Sequence, residues 1–73
     1  MTLSEAEKNR KFRVGKIKLS DAGKARLWEL GVSVGTVAEK ESDHPFGAAV
    51  VIVGGTRIAI GREAAREIVV EYL

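Results

Sequence analysis

Few side chains in this 73-residue chain are of types that do chemistry, and their spacing decides how much they can do together. The sole histidine, His44, closes the run Glu41-Ser42-Asp43-His44. One imidazole and two carboxylates in a short loop are donors suited to a divalent cation. A structural zinc site takes four ligands, and no fourth stands nearby. The expectation is a polar loop without a resident metal. Ser20 and Ser33 have no base beside them in sequence and read as cap and turn residues. The acids are scattered, which argues against a working pair of carboxylates. Gly54-Gly55-Thr56-Arg57 lacks the Gly-Lys-Ser/Thr ending of a phosphate loop and precedes a strand, so it reads as a hairpin turn. Neither catalysis nor a cofactor is expected.

Recognition is better provided for. Trp28 stands about 100° round a helix from Leu27 and faces another way. Tryptophan is enriched at the centres of protein interfaces, although it also serves as ordinary core. Phe46 lies at the tip of a Pro45-Phe46-Gly47 turn, where an aromatic ring needs packing or a contact. Arg26, near the helix end, is placed to pair with Glu29 or to hold a terminal carbonyl. Arg26, Trp28 and Phe46 are the candidate partner-binding residues.

The elements that must position them follow from periodicity. Met1 to Lys11 is polar and reads as a short turn or a loose arm, with Asn9 suited to a positive φ. Phe12 to Leu19 reads as a strand with a defect: Phe12 and Val14 share one phase, Ile17 and Leu19 the other. A slip of one residue at Gly15-Lys16 is the mark of a bulge. Ser20 or Asp21 caps a helix running to Leu30, and Gly31 stops it. Gly23, Leu27 and Leu30 share one face, so both leucines are expected in the core and Gly23 is expected to let the helix approach the sheet.

Thr36 to Glu41 is the second strand, and Ser42 to Gly47 a loop. Ala48 to Val53 is apolar without alternation, as in a strand covered on both sides. Gly54-Gly55 turns the chain into Arg57 to Ile60, with Ile58 and Ile60 inward. Arg62 to Glu67 is a helical turn, and Ile68 to Tyr72 closes the sheet. Short strands at this spacing imply a mainly β fold. The specific expectation is a small five-stranded SH3-like barrel with one short α-helix between strands 1 and 2. It forms a single domain over residues 1–73.

Composition narrows the class. With no cysteine, neither disulfides nor thiolate metal sites can staple so short a chain. Aromatics make up 5% of residues and apolar types 45%, so Val, Ile, Leu and Ala must build the core. No apolar run approaches the roughly 20 residues of a membrane-spanning helix, and the charged start is unlike a secretory signal. A soluble cytoplasmic chain is expected. The net charge of +2 conceals an asymmetry: residues 1–26 carry 8 basic and 3 acidic groups. Six of the basic groups lie between Lys8 and Lys18, an edge that either meets an anionic partner or stays solvated and discourages strand pairing. A nucleic-acid role is not expected, because Phe12 is the only aromatic in that stretch.

The order Arg26-Leu27-x-Glu29-Leu30-Gly31-Val32-x-x-Gly35-Thr36 resembles the signature of the ferrous iron transport protein A (FeoA) family. The resemblance extends to the strand Val14 to Leu19, the Pro45-Phe46-Gly47 turn, the hairpin Gly54 to Glu63 with Ala64-Ala65, and the strand Ile68-Val69-Val70. It departs in strand 2, where Ala38 and Lys40 occupy positions expected to be apolar. Either the register differs there or the strand is a weakly packed edge. The resemblance implies a non-enzymatic cytoplasmic accessory that binds and modulates FeoB, the ferrous-iron transporter of the bacterial membrane, and is membrane-associated through it. Weak self-association is a further contact. The alternative is a stand-alone relative of the C-terminal barrel of metal-dependent regulators resembling the diphtheria toxin repressor, acting through protein contacts.

Overall fold

The computed structural model describes residues 1–73. Strands β1 (Lys11–Ile17), β2 (Val37–Asp43), β3 (Ala49–Val53), β4 (Thr56–Ile60) and β5 (Ile68–Tyr72) form one antiparallel sheet in the order β4-β3-β2-β1-β5. Helix α1 (Asp21–Glu29) joins β1 to β2, and α2 (Arg62–Arg66) joins β4 to β5. The expected single helix is therefore accompanied by a second, where a helical turn was read. One contiguous apolar core runs from Leu3 to Val70 and is filled by small and branched side chains around Phe12.

The bulge in β1 falls where the phase slip placed it. Val14 pairs with Val70, Lys16 with Val69, and the register shifts between them at Gly15. The shift brings Phe12, Val14 and Ile17 all inward. A strand with strict alternation would have sent Ile17 to solvent. Asn9 adopts a φ of 63°, as its type allows, and its N–H donates to the Lys40 carbonyl at 2.7 Å.

Strand β2 is neither out of register nor an edge. It lies between β1 and β3, and Ala38 and Lys40 both point inward. Lys40 is completely buried, which a lysine tolerates only with partners for its ammonium. Its Nζ donates to the carbonyls of Leu3, Ser4 and Ala6 at 3.1, 3.2 and 2.9 Å. Asp43 Oδ1 lies 2.6 Å away. Residues i and i+3 of a regular strand face opposite sides. The β2–β3 register shifts between Lys40 and Ser42, and that slip returns Asp43 to the lysine's side.

Those carbonyls belong to the start of the chain, which is a short turn and not a loose arm. Leu3–Glu5 forms a 3-10 turn whose Leu3, together with Ala6, is buried. Three residues per turn set Leu3 and Ala6 on the same side. Glu5 Oε1 accepts from the Thr2 backbone N–H at 2.8 Å and from Thr2 Oγ1 at 3.1 Å. These bonds to Thr2 hold the Glu5 carboxyl below its ordinary pKa. The segment packs on α2 and β5: Val70 N–H donates to the Met1 carbonyl at 2.8 Å. Further along, Glu7 N–H donates to the Tyr72 hydroxyl at 2.9 Å, and the Arg10 guanidinium lies 3.5 Å over the Tyr72 ring.

Candidate protein-binding site

The three candidate residues are positioned by the two ends of α1 and by the β2–β3 loop. Ser20 caps α1, its Oγ accepting from Gly23 N–H at 3.2 Å. At the other end, Gly31 N–H donates to the Trp28 carbonyl and Val32 N–H to the Leu27 carbonyl, both at 2.9 Å. This is the Schellman arrangement, and it needs the positive φ of 93° that Gly31 supplies without strain. The motif brings an apolar residue after the helix next to one inside it. Here these are Val32 and Leu27, both buried in the core.

Helix α1 is thus anchored at its C-terminal end, and Leu27 is its only buried residue. Leu30, expected in the core, is 49% exposed. As the residue at the helix boundary it lies outside the Leu27–Val32 anchor. Gly23 does not serve a close approach to the sheet. A Cβ there would meet Leu19 and Ser20, residues of the segment that leads into the helix, at 3.1 Å and beyond.

Trp28 is 71% exposed. Its ring lines a groove of about 550 Å³ between α1 and β1, together with Lys16, Ile17, Lys24 and Val34. Val34 is itself 64% exposed and was not singled out in the sequence. Alternation gave no signal for it: two residues on from the buried Val32 it shares that residue's phase, and the turn at Val34-Gly35 sends it outward instead. Arg26 lies in a second groove, with Leu19, Leu30, Ala64 and Glu63. Neither of its expected bonds forms: Glu29 is not its partner, and it takes part in none of the ion pairs.

Phe46 is 80% exposed and lines a third groove with Arg62 and Glu63. Its ring sits 5.3 Å from that of His44, and its N–H donates to His44 Nδ1 at 3.2 Å. Gly47, with a φ of 91°, keeps this turn against Arg62, whose Cδ would lie 2.6 Å from an added Cβ. The second and third grooves share Gly61, Glu63 and Ala64. Arg26 and Phe46 therefore stand on neighbouring grooves with a shared wall, and Trp28 looks out from another part of the helix.

The run expected to be a polar loop is instead the end of β2, paired with β3 through Asp43, with His44 just beyond it, and its groups are engaged separately. Glu41 Oε2 accepts from Arg57 Nε at 3.0 Å, Asp43 serves Lys40, and His44 Nδ1 accepts from Phe46. No three side chains among His, Asp and Glu converge as metal ligands. No helix is long and apolar enough to cross a membrane.

This architecture is an SH3-like barrel. The FeoA domain matches residues 1–72, and the chain belongs to the FeoA family. No curated protein matches the sequence. Among solved structures, the FeoA of Stenotrophomonas maltophilia, complexed with zinc and described as a procaryotic SH3-domain protein, is 34% identical. That alignment covers 97% of this chain and 89% of that one, with a TM-score of 0.72. The solution structure of FeoA from Chlorobium tepidum superposes with a TM-score of 0.90 at 27% identity, covering 100% of this chain and 70% of the other. ScaR with bound zinc shares the fold at 22% identity and a TM-score of 0.89, with this chain covered completely over 37% of that one, as does the manganese regulator SloR at 14% identity and a TM-score of 0.87, with 99% of this chain over 34% of that one.

Proposed function

We propose that this chain is a non-enzymatic accessory of a FeoB-like ferrous-iron transporter, acting by protein contact on the cytosolic side of the membrane. Membership of the FeoA family supports the transport context. The S. maltophilia relative is described as a candidate activating factor of bacterial ferrous iron transport, which agrees with that role. The observation that carries the reading is Trp28: a tryptophan 71% exposed on a capped helix, beside an equally unprotected Val34. Exposed aromatic anchors of this kind belong to interfaces, where their burial supplies most of the binding energy.

Iron and nucleotide chemistry belong to the transporter in this account. The barrel alters transport by binding one transporter conformation more tightly than another. Arg26, Trp28 and Phe46 are the proposed contacts, and a partner that touches all three must span α1. A second reading is favoured by the fold shared with the manganese regulator SloR: the barrel would act on a metal-dependent regulator through the same surface.

Immobilised domain exposed to detergent-solubilised membranes and to the soluble fraction separates these readings. The accessory role requires retention of the transporter. Retention of a DNA-binding regulator alone favours the second. Nucleotide turnover by the purified domain, abolished by one substitution, contradicts a non-enzymatic role.

A further inference from the structure

The three grooves differ in charge. In the Phe46 groove Arg62 already faces Glu63, at 3.9 Å, and the Arg26 groove contains that same Glu63. The groove at Trp28 is lined by Lys16 and Lys24 and by no carboxylate. Neither lysine takes part in an ion pair. Both are exposed, as are Trp28 and Val34 of the same lining.

We propose that the groove between β1 and α1 receives a large apolar side chain carried on an acidic segment of a partner polypeptide. The proposal rests on the accessory reading above and names the chemistry of its contact. An apolar floor by itself accepts any hydrophobic group. Two exposed, unpaired ammonium groups in its lining select a segment whose flanking residues are Asp or Glu, and they speed its arrival. A volume of about 550 Å³ falls in the range of pockets that enclose ligand groups, and it is large enough for a Leu, Met or Phe side chain. An anionic bilayer would satisfy the lysines but presents a flat surface to a concave site. A nucleic acid would require a succession of stacking rings, and Trp28 is the only aromatic residue in the lining.

Trp28 is the only tryptophan of the chain, so its emission reports directly on the groove. The probes are a tryptophan-free peptide rich in leucine and glutamate, the same peptide with lysine for glutamate, and phosphatidylserine vesicles. The acidic peptide should shift Trp28 emission to the blue in a saturable manner. The doubly reversed variant Lys16→Glu/Lys24→Glu, confirmed as folded by its melting curve, should bind that peptide more weakly by on the order of tenfold and should gain affinity for the lysine peptide. Equal response to both peptides, or response to vesicles only, overturns the proposal. Capture of the transporter from membranes separates the two levels of the argument. Equal capture by wild type and the reversed variant overturns the groove and leaves the accessory role standing. If the peptide responds as expected and neither protein captures the transporter, the groove chemistry holds and the accessory role fails.

Discussion

The first turn of the chain and helix α1 are two short, largely polar segments that the fold uses in opposite ways. The turn at Leu3–Glu5 and its cap residue Ala6 carry few apolar groups, yet Leu3 and Ala6 are buried and three carbonyls of this segment are bonded to the buried Lys40 ammonium. Helix α1 carries more apolar surface, yet it commits Leu27 alone and leaves Trp28 and Leu30 outside. The difference lies in what surrounds each segment. The turn packs on α2 and β5 and meets the head of Lys40, so each polar group lost from water finds a partner. The helix is held by its C-terminal cap and by Leu27 with Val32, which leaves its remaining faces free. One segment stabilises the barrel, and the other is available for a partner.

The largest effects should come from the two leucines that fix these segments. Leu3→Ala and Leu27→Ala should each cost about 2–5 kcal/mol, the range for a buried leucine. A chain of this size has about 4–11 kcal/mol in total, so either variant should show a sharply lowered urea midpoint. If Leu3→Ala is silent while Leu27→Ala is not, the first turn is decoration and the contrast collapses.

Lys40→Ala should cost about 3 kcal/mol, because three buried or half-buried carbonyls each lose a charged donor, and only that of Leu3 keeps another, the Ala6 N–H. Lys40→Met keeps much of the stem and should recover only part of that loss. Asp43→Ala should cost about 1 kcal/mol or less, since its side chain is half exposed and water replaces it as the charge's neighbour. Chemical denaturation of the three variants gives the order. A greater cost for Asp43→Ala than for Lys40→Ala would assign the site to the ion pair and not to the carbonyls.

Leu30→Ala should change stability by no more than about 0.5 kcal/mol, as for other surface positions. A loss like that of Leu27→Ala would put Leu30 back in the core.

The smallest effect is at Glu5. Its carboxyl pKa is lowered in the folded protein, so its contribution is present above the unfolded carboxylate pKa and fades as pH falls through the folded one. Urea midpoints of wild type and Glu5→Gln should therefore converge on acidification. A gap that widens toward acid pH contradicts the assigned bonds to Thr2.

Much of this was legible before the structure. The phase slip at Gly15-Lys16 located the bulge, Asn9 its positive φ, Gly31 the helix stop, and Ile68 to Tyr72 the last strand. These are local signals, set by a residue's own backbone freedom or by the alternation of its neighbours. Lys40 was not legible, because its burial depends on carbonyls 34 to 37 positions away. The docked first turn was overlooked for the same reason, although Thr2-Leu3-Ser4-Glu5 has the Thr-x-x-Glu spacing of a helix start and Leu3 and Ala6 the spacing of a 3-10 face. Leu30 misled because helical periodicity says which residues share a face, not how far along the helix the support extends. Of the candidate contacts, the exposure of Trp28 followed from its angle to Leu27. That it and Phe46 open onto separate grooves follows only from the tertiary arrangement.

The most direct test of the division between support and contact is Trp28→Ala, followed by thermal melting and by transporter capture from solubilised membranes. Melting should stay close to wild type, well above that of Leu27→Ala, while capture weakens by on the order of 2 kcal/mol, the scale of an interface anchor. Undiminished capture would remove Trp28 from the contact. Unfolding as severe as that of Leu27→Ala would make Trp28 part of the core.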